Sequence, residues 1–241
     1  MTGSAWDKSG SRWDKRIARA AELEHSWPPA AELLRLYLQI AEFQAGNTGH
    51  QARATESILR LVANQAPPPL SQAAEALLCI PARWQSAVES PSTPAEAFFS
   101  LAVRQPRQEA LARRGTATRT EVQPLCPFCG SKPVVAILRP EGDGAKRSLL
   151  CSLCFTEWDF RRLLCPQCGE EDKDKLPVYI AAEFPHIRVE ACDTCRSYIK
   201  SVDLTRNGLA VPEVDELASI SLDLWAAENG YSKLQTNLFG L

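Results

Sequence analysis

Four Cys-x-x-Cys pairs fall within seventy residues: Cys126/Cys129, Cys151/Cys154, Cys165/Cys168 and Cys192/Cys195. The other 171 residues hold one cysteine, Cys79. A two-residue spacer lets both sulfurs of a pair face one ion from a tight knuckle, and two knuckles complete a tetrahedral S4 site. Eight thiols arranged this way predict two four-cysteine metal sites rather than a disulfide framework. A 241-residue chain can bury an ordinary core and needs no covalent staples to fold. Met1 to Arg19 is polar and contains no apolar stretch of signal-peptide length. Nor does any uninterrupted apolar run approach the roughly 18 residues of a membrane span. A cytoplasmic chain with reduced thiols is expected, with no membrane insertion.

The cysteine-rich half repeats itself. Cys126-Pro127-Phe128-Cys129-Gly130 recurs as Cys165-Pro166-Gln167-Cys168-Gly169, and a plain Cys-x-x-Cys follows each after 21 and 23 intervening residues. Glycine after a knuckle permits the left-handed turn that lets backbone N–H groups face the sulfurs. The repeat favours sequential pairing: Cys126, Cys129, Cys151 and Cys154 at site one, and Cys165, Cys168, Cys192 and Cys195 at site two. An interleaved pairing stays open, because only ten residues separate Cys154 from Cys165. Zinc and mononuclear iron suit an S4 site equally, so two mononuclear ions, iron or zinc, are expected.

Residues 1–120 carry 14 Lys/Arg against 11 Asp/Glu, and residues 121–241 carry 13 against 18. The cysteine-bearing half is therefore acidic. Nucleic-acid-binding zinc modules need a basic face to meet phosphates, so no nucleic-acid partner is expected.

Residues 1–115 read as helical. Leu33, Leu34, Tyr37, Leu38, Ala41 and Phe43 follow helical spacing after Pro28-Pro29. Ile58, Leu59, Leu61 and Val62 resume it beyond a break at Gly46 to Gly49. A segment from Ser71 to Trp84 is expected to bend at Pro81, with Cys79 a buried, inert thiol on its apolar face. Thr93-Pro94-Ala95-Glu96 opens another helix, with a capping Thr, an early Pro and a Glu three residues after the cap. Gly115 to Pro124 reads as a connector.

Beyond it the pattern becomes short strands. Val134 to Leu138, Leu149-Leu150, Phe155 to Leu164, Val178 to Ile180, Ile187 to Val189 and Arg196 to Asp203 are predicted strands, with a turn at Glu141 to Gly144. A final helix is predicted from Val214 to Glu228, burying Leu217, Ile220, Leu224 and Trp225. The tail from Asn237 to Leu241 is apolar enough to pack on a domain or a partner.

The fold class is α+β: a helical domain (1–115), a linker (116–125), two tandem rubredoxin-like or zinc-ribbon modules (126–164 and 165–212), and a C-terminal helix and tail (213–241). The catalytic inventory is thin. Closed S4 coordination leaves no position for water or substrate. His25, His50 and His186 read as surface or capping residues, and Glu170 to Asp174 as a solvated acidic loop. No nucleophile elbow, phosphate-binding glycine loop or His-Glu-x-x-His is present.

Certain longer stretches are more specific than the knuckles alone. They are Leu125 to Val135, Leu150 to Trp158 (Leu-Cys-Ser-Leu-Cys-Phe-Thr-Glu-Trp), Cys192 to Lys200 (Cys-Asp-Thr-Cys-Arg-Ser-Tyr-Ile-Lys) and Leu222 to Ala226. In this order they resemble the formate dehydrogenase accessory protein family FdhE. The match is tight over the cysteine half and final helix, and architectural over the N-terminal half. All eight family cysteines coincide with the eight named above. The resemblance implies a cytoplasmic, non-enzymatic assembly factor with rubredoxin-like metal sites, acting on the catalytic subunit of a molybdenum- or tungsten-containing formate dehydrogenase. A rubredoxin-like electron carrier and a nucleic-acid-binding ribbon protein are the competing readings. Oligomeric state is not legible.

Overall fold

A computed structural model describes residues 12–47, 51–115 and 123–241. His50, most of the expected 116–125 linker and the polar N-terminal residues before Arg12 lie outside these.

Among the described residues of the first half there are six α-helices: α1 (Arg12–Ser26), α2 (Ala31–Gly46), α3 (Gln51–Gln65), α4 (Leu70–Leu78), α5 (Trp84–Glu89) and α6 (Pro94–Arg114). Pro28 and Pro81 each open a short 3-10 turn ahead of the next helix. A prolyl ring has no N–H to lose at that position, so it starts a helix where it would break one inside. At α6 the Thr93 hydroxyl accepts from the Glu96 N–H, as the sequence predicts. The Glu96 carboxylate reaches back one residue further than a standard capping box, accepting from the backbone and hydroxyl of Ser92. Leu34, Ile40, Ile58, Leu59 and Phe99 form the helical core.

Cys79 departs from expectation, for it is exposed. α4 turns Ala74 and Leu77 inward, and a residue two positions beyond Leu77 lies some 200° around the helix, toward solvent.

The described strands, all in the second half, form one seven-stranded sheet: β1 (Pro133–Glu141), β2 (Gly144–Cys151), β3 (Glu157–Asp159), β4 (Val178–Ile180), β5 (Ile187–Ala191), β6 (Ser197–Asp203) and β7 (Ser232–Lys233). Its order is β3-β2-β1-β6-β5-β4, with β7 beside β6. Each cysteine repeat contributes three strands, and the two sets join head to tail. The first strand of repeat one, β1, pairs in parallel with the last of repeat two, β6, matching Ala136 with Ser201 and Leu138 with Asp203. The two modules therefore share one sheet. The stretch from Phe155 to Leu164 gives only the three-residue β3. Phe155 takes a left-handed conformation (φ 53°) to close a knuckle, and after Asp159 the chain leaves the sheet for the next knuckle.

The predicted C-terminal helix is two: α7 (Pro212–Ala218) and α8 (Ile220–Glu228), broken at Ser219 (φ −93°, ψ 37°). The cause lies 19 residues away in sequence. The Lys200 ammonium donates to the carbonyls of Glu216 (2.5 Å) and Ser219 (3.3 Å), holding main-chain oxygens at the break. Re-aimed by this break, α8 turns Leu222, Asp223 and Ala226 inward and leaves Leu224 60% exposed, against expectation; Ile220 and Trp225 are half-buried. α7 instead adds Val214 and Leu217 to the helical core, and the tail follows with buried Leu238 and with Phe239 against Phe98. The apolar tail thus packs on its own helical domain.

Candidate metal centres

All four knuckles share one local design. The first cysteine N–H donates to the carbonyl five residues on: Cys126 to Ser131, Cys151 to Thr156, Cys165 to Glu170 and Cys192 to Ser197, at 2.9–3.0 Å. The residue after each second cysteine is left-handed: Gly130 (φ 75°), Phe155 (φ 53°), Gly169 (φ 79°) and Arg196 (φ 57°). Glycine adopts this at no steric cost, whereas Phe155 and Arg196 are held there by their surroundings. Phe155 lies under the Arg16 guanidinium, 4.1 Å from its ring centroid, and Arg196 donates to the carbonyls of Asn229 and Gly230. Sequence inspection could recognise the two glycine knuckles fully and the other two only by their cysteines.

The knuckles meet in sequential pairs. Cys126, Cys129, Cys151 and Cys154 bring their sulfurs within 4.8 Å of one another, and so do Cys165, Cys168, Cys192 and Cys195. Across the first cluster Cys126 and Cys154 lie 3.5 Å apart and Cys129 and Cys151 3.3 Å; across the second, Cys165–Cys195 and Cys168–Cys192 are both 3.7 Å. Four sulfurs bonded at about 2.3 Å to one ion would be about 3.8 Å apart. The sulfurs therefore sit at the spacing an ion requires, slightly drawn together at site one. Site one also aims N–H groups at sulfur, from Leu153 and Cys154 to Cys151, as Gln167 does to Cys165 at site two. Such donors temper thiolate charge.

Electrostatics makes the same point. Sulfur hydrogen bonds from Cys126, Cys151 and Cys154 hold the Cys129 thiol far below its ordinary range, while Cys151, bonded to Cys126, Cys129 and Cys154, is pushed far above it. Four adjacent thiols cannot all ionise unless a cation shares the site. The residues present fit a mononuclear S4 metal ion.

The sites differ in cover. Site one packs beneath Trp158, Phe160 and Leu234 against Leu101 and Ala112 of α6, and only Cys129 is partly exposed. At site two Cys168 is exposed and Cys195 half-exposed. Glu170 to Asp174 follow the third knuckle and are exposed from Glu171 onward, while Glu170 is half-buried and accepts from the Thr194 hydroxyl.

Among the described residues, His25 and His186 join neither cluster. His25 is exposed, its ring against the Ala21 carbonyl. His186 meets Asp215, which also takes a bidentate Arg19, at a junction of α1, α7 and the sheet. A second buried network joins Lys200 and Lys233 to Glu216 and Asp223, and a third joins Arg16 to Glu109 and Glu213. None of the three was legible in the sequence, since their members lie up to 197 residues apart.

Fold and sites together define an α+β protein in which a helical domain carries two fused zinc-ribbon-like modules, each presenting a four-cysteine metal-binding cluster. Residues 125–162 match the model of the FdhE central domain, and residues 164–239 that of the FdhE C-terminal domain. Across its cysteine-bearing half the chain is therefore similar to the FdhE family. Over 117 residues it is 45% identical to the FdhE homolog of Aquifex aeolicus, covering 48% of this chain and 41% of that protein. The FdhE homolog of Pseudomonas aeruginosa is 37% identical over 132 residues, 52% of this chain and 42% of that one. The chain thus spans about two-fifths of the length of these relatives. The crystal structure of the FdhE protein from Pseudomonas aeruginosa has the same fold over 95% of this chain and 96% of that one, with a TM-score of 0.74 at 24% identity.

Among the described residues no helix is long and apolar enough to cross a membrane.

Proposed function

We propose that the eight clustered cysteines ligate two mononuclear ions, iron or zinc, and that the chain is a cytoplasmic, non-enzymatic assembly factor for formate dehydrogenase. It binds the catalytic subunit during maturation. One observation carries the reading: two S4 clusters, each filling a tetrahedron with protein sulfur, are set into a single sheet within residues that match the FdhE domain models. Such sites leave no open coordination position for Lewis-acid chemistry, so the ions act on the fold and its surface. The working division is a helical domain at 1–115, a linker at 116–125, metal modules at 126–164 and 165–212, and a closing segment at 213–241 that locks sheet to helices.

Recovery of the formate dehydrogenase catalytic subunit on the intact, tagged chain from a cell extract tests the reading, alongside metal analysis near two ions per chain. Retention of RNA or DNA in place of that subunit overturns it. The exposure of Cys168 favours one rival, electron transfer through an iron at site two. A visible absorption spectrum that bleaches on reduction would select that role.

A further inference from the structure

The two cysteine repeats are equivalent strand for strand: β1 and β4 follow the first knuckle of each repeat, β2 and β5 precede the second, and β3 and β6 follow it. Their outer edges are not equivalent. The free side of β1 is covered by β6, running parallel to it. The matching side of β4 ends the sheet. Fusion of the repeats fills one of two like edges and leaves the other open.

That open edge is furnished for a strand. The Ala191 N–H donates to the Pro177 carbonyl, and Tyr179 stands opposite Val189. The alternation of an antiparallel ladder then directs the N–H and C=O groups of Val178 and Ile180 outward. Both residues are 52% exposed, an apolar edge with none of the lysines that usually blunt one. Two clefts adjoin it. Tyr179 turns toward Trp225, bordering a cleft of 690 Å³ lined by Trp27, Phe184 and Leu222. Val178 and Ile180 also line that cleft, and Val178 in addition borders a second one, of 380 Å³, where Arg147, Arg162 and Arg188 face a single carboxylate, Glu190. Glu190 is taken by Arg147, and Arg188 pairs with Asp203. Arg162 is exposed and has no carboxylate partner among the described residues, and the buried Arg188 Nε has no acceptor.

We propose that β4 is a docking edge for an extended segment of a partner protein. The segment adds as a parallel strand, as β6 does on β1, with acidic side chains toward Arg162 and Arg188 and apolar ones toward Trp27 and Trp225. Main-chain hydrogen bonds supply affinity and the two clefts supply selection of alternate side chains. The proposal rests on the reading that the chain binds a partner protein, and it adds the chemistry of the bound segment.

The probe is a fluorescent heptapeptide alternating aspartate with phenylalanine, titrated into the full metal-loaded chain by anisotropy. A peptide alternating lysine with phenylalanine is the control. The aspartate peptide should bind several-fold more tightly, since exchanging carboxylate for ammonium turns attraction to Arg162 into repulsion at a site where each exposed pair is worth up to about 1 kcal/mol. Arg162→Glu should abolish the preference. Ile180→Pro removes an outward N–H while sparing the bonds to β5, a substitution an edge strand tolerates. It should weaken binding about ten-fold with an unchanged circular dichroism spectrum.

Equal binding of both peptides, wild-type binding by Ile180→Pro, or no binding beside self-association that Ile180→Pro abolishes would each overturn the proposal. Peptide failure with the dehydrogenase subunit still recovered sinks this edge alone. Peptide binding without that subunit sinks the assembly-factor reading alone.

Discussion

Gln105, on α6 in the helical domain, donates its side-chain amide to the carbonyl of Ser152, inside the second knuckle of site one, at 2.9 Å. Gln105 is itself held by Gln44 of α2 at 3.1 Å, so a buried amide chain runs from the helical core to a metal-binding turn. The helices therefore position the first cluster directly.

Replacing Gln105 with Ala leaves the Ser152 carbonyl and the Gln44 amide without this partner. A loss of about 1–3 kcal/mol is expected in urea unfolding, with faster metal release from site one. A variant that loses stability while releasing metal at the wild-type rate would show that the link supports the helices only.

Site two should surrender its ion first. Cys168 is exposed and Cys195 half-exposed, whereas three of the four sulfurs at site one are buried, and the acidic loop beside site two disfavours thiolate charge. A chromogenic chelator should register two phases of equal amplitude. Cys168→Ser should remove the fast phase and Cys129→Ser the slow one. Release in a single phase would contradict the difference in cover.

Lys200 is fully buried with Glu216 and Asp223, and it also bonds the main chain at the α7–α8 break. Lys200→Met strands two carboxylates with Lys233 as their remaining cation. We expect a loss of about 3–5 kcal/mol, as for other broken buried pairs. Denaturant unfolding measures it, and a shift within about 1 kcal/mol would mean the network relaxes around the methionine.

Glu216 gives that network a pH signature. Burial pushes its carboxyl up, but Lys200 and Lys233 outweigh this and bring it down to about 2 from an ordinary 4.5. A depressed carboxyl stabilises the fold fully above its unfolded pKa, and that contribution is lost as pH falls toward the folded value. The stability gap between wild type and Glu216→Gln should thus be constant above about pH 5 and narrow from 4.5 toward 2. A gap that widens on acidification would refute the assignment.

What the sequence alone determined was local. Cysteine spacing specified the knuckles, glycine marked two of their left-handed turns, and the repeat indicated which pairs share a site. Alternating apolar residues located β1, β5 and β6, and Thr93 with Glu96 located a helix start. Each signal needs only residues within a few positions of one another, where spacing dictates geometry. Tertiary structure alone decided the joining of two modules by β1 and β6, the break at Ser219, the exposure of Cys79 and Leu224, and the docking of Leu238 on the helices. These depend on partners far apart in the chain, such as Lys200 with Glu216 or Gln105 with Ser152. A buried lysine has the same letter as a surface one, and only the packing that excludes water from it turns its charge into a constraint on the fold.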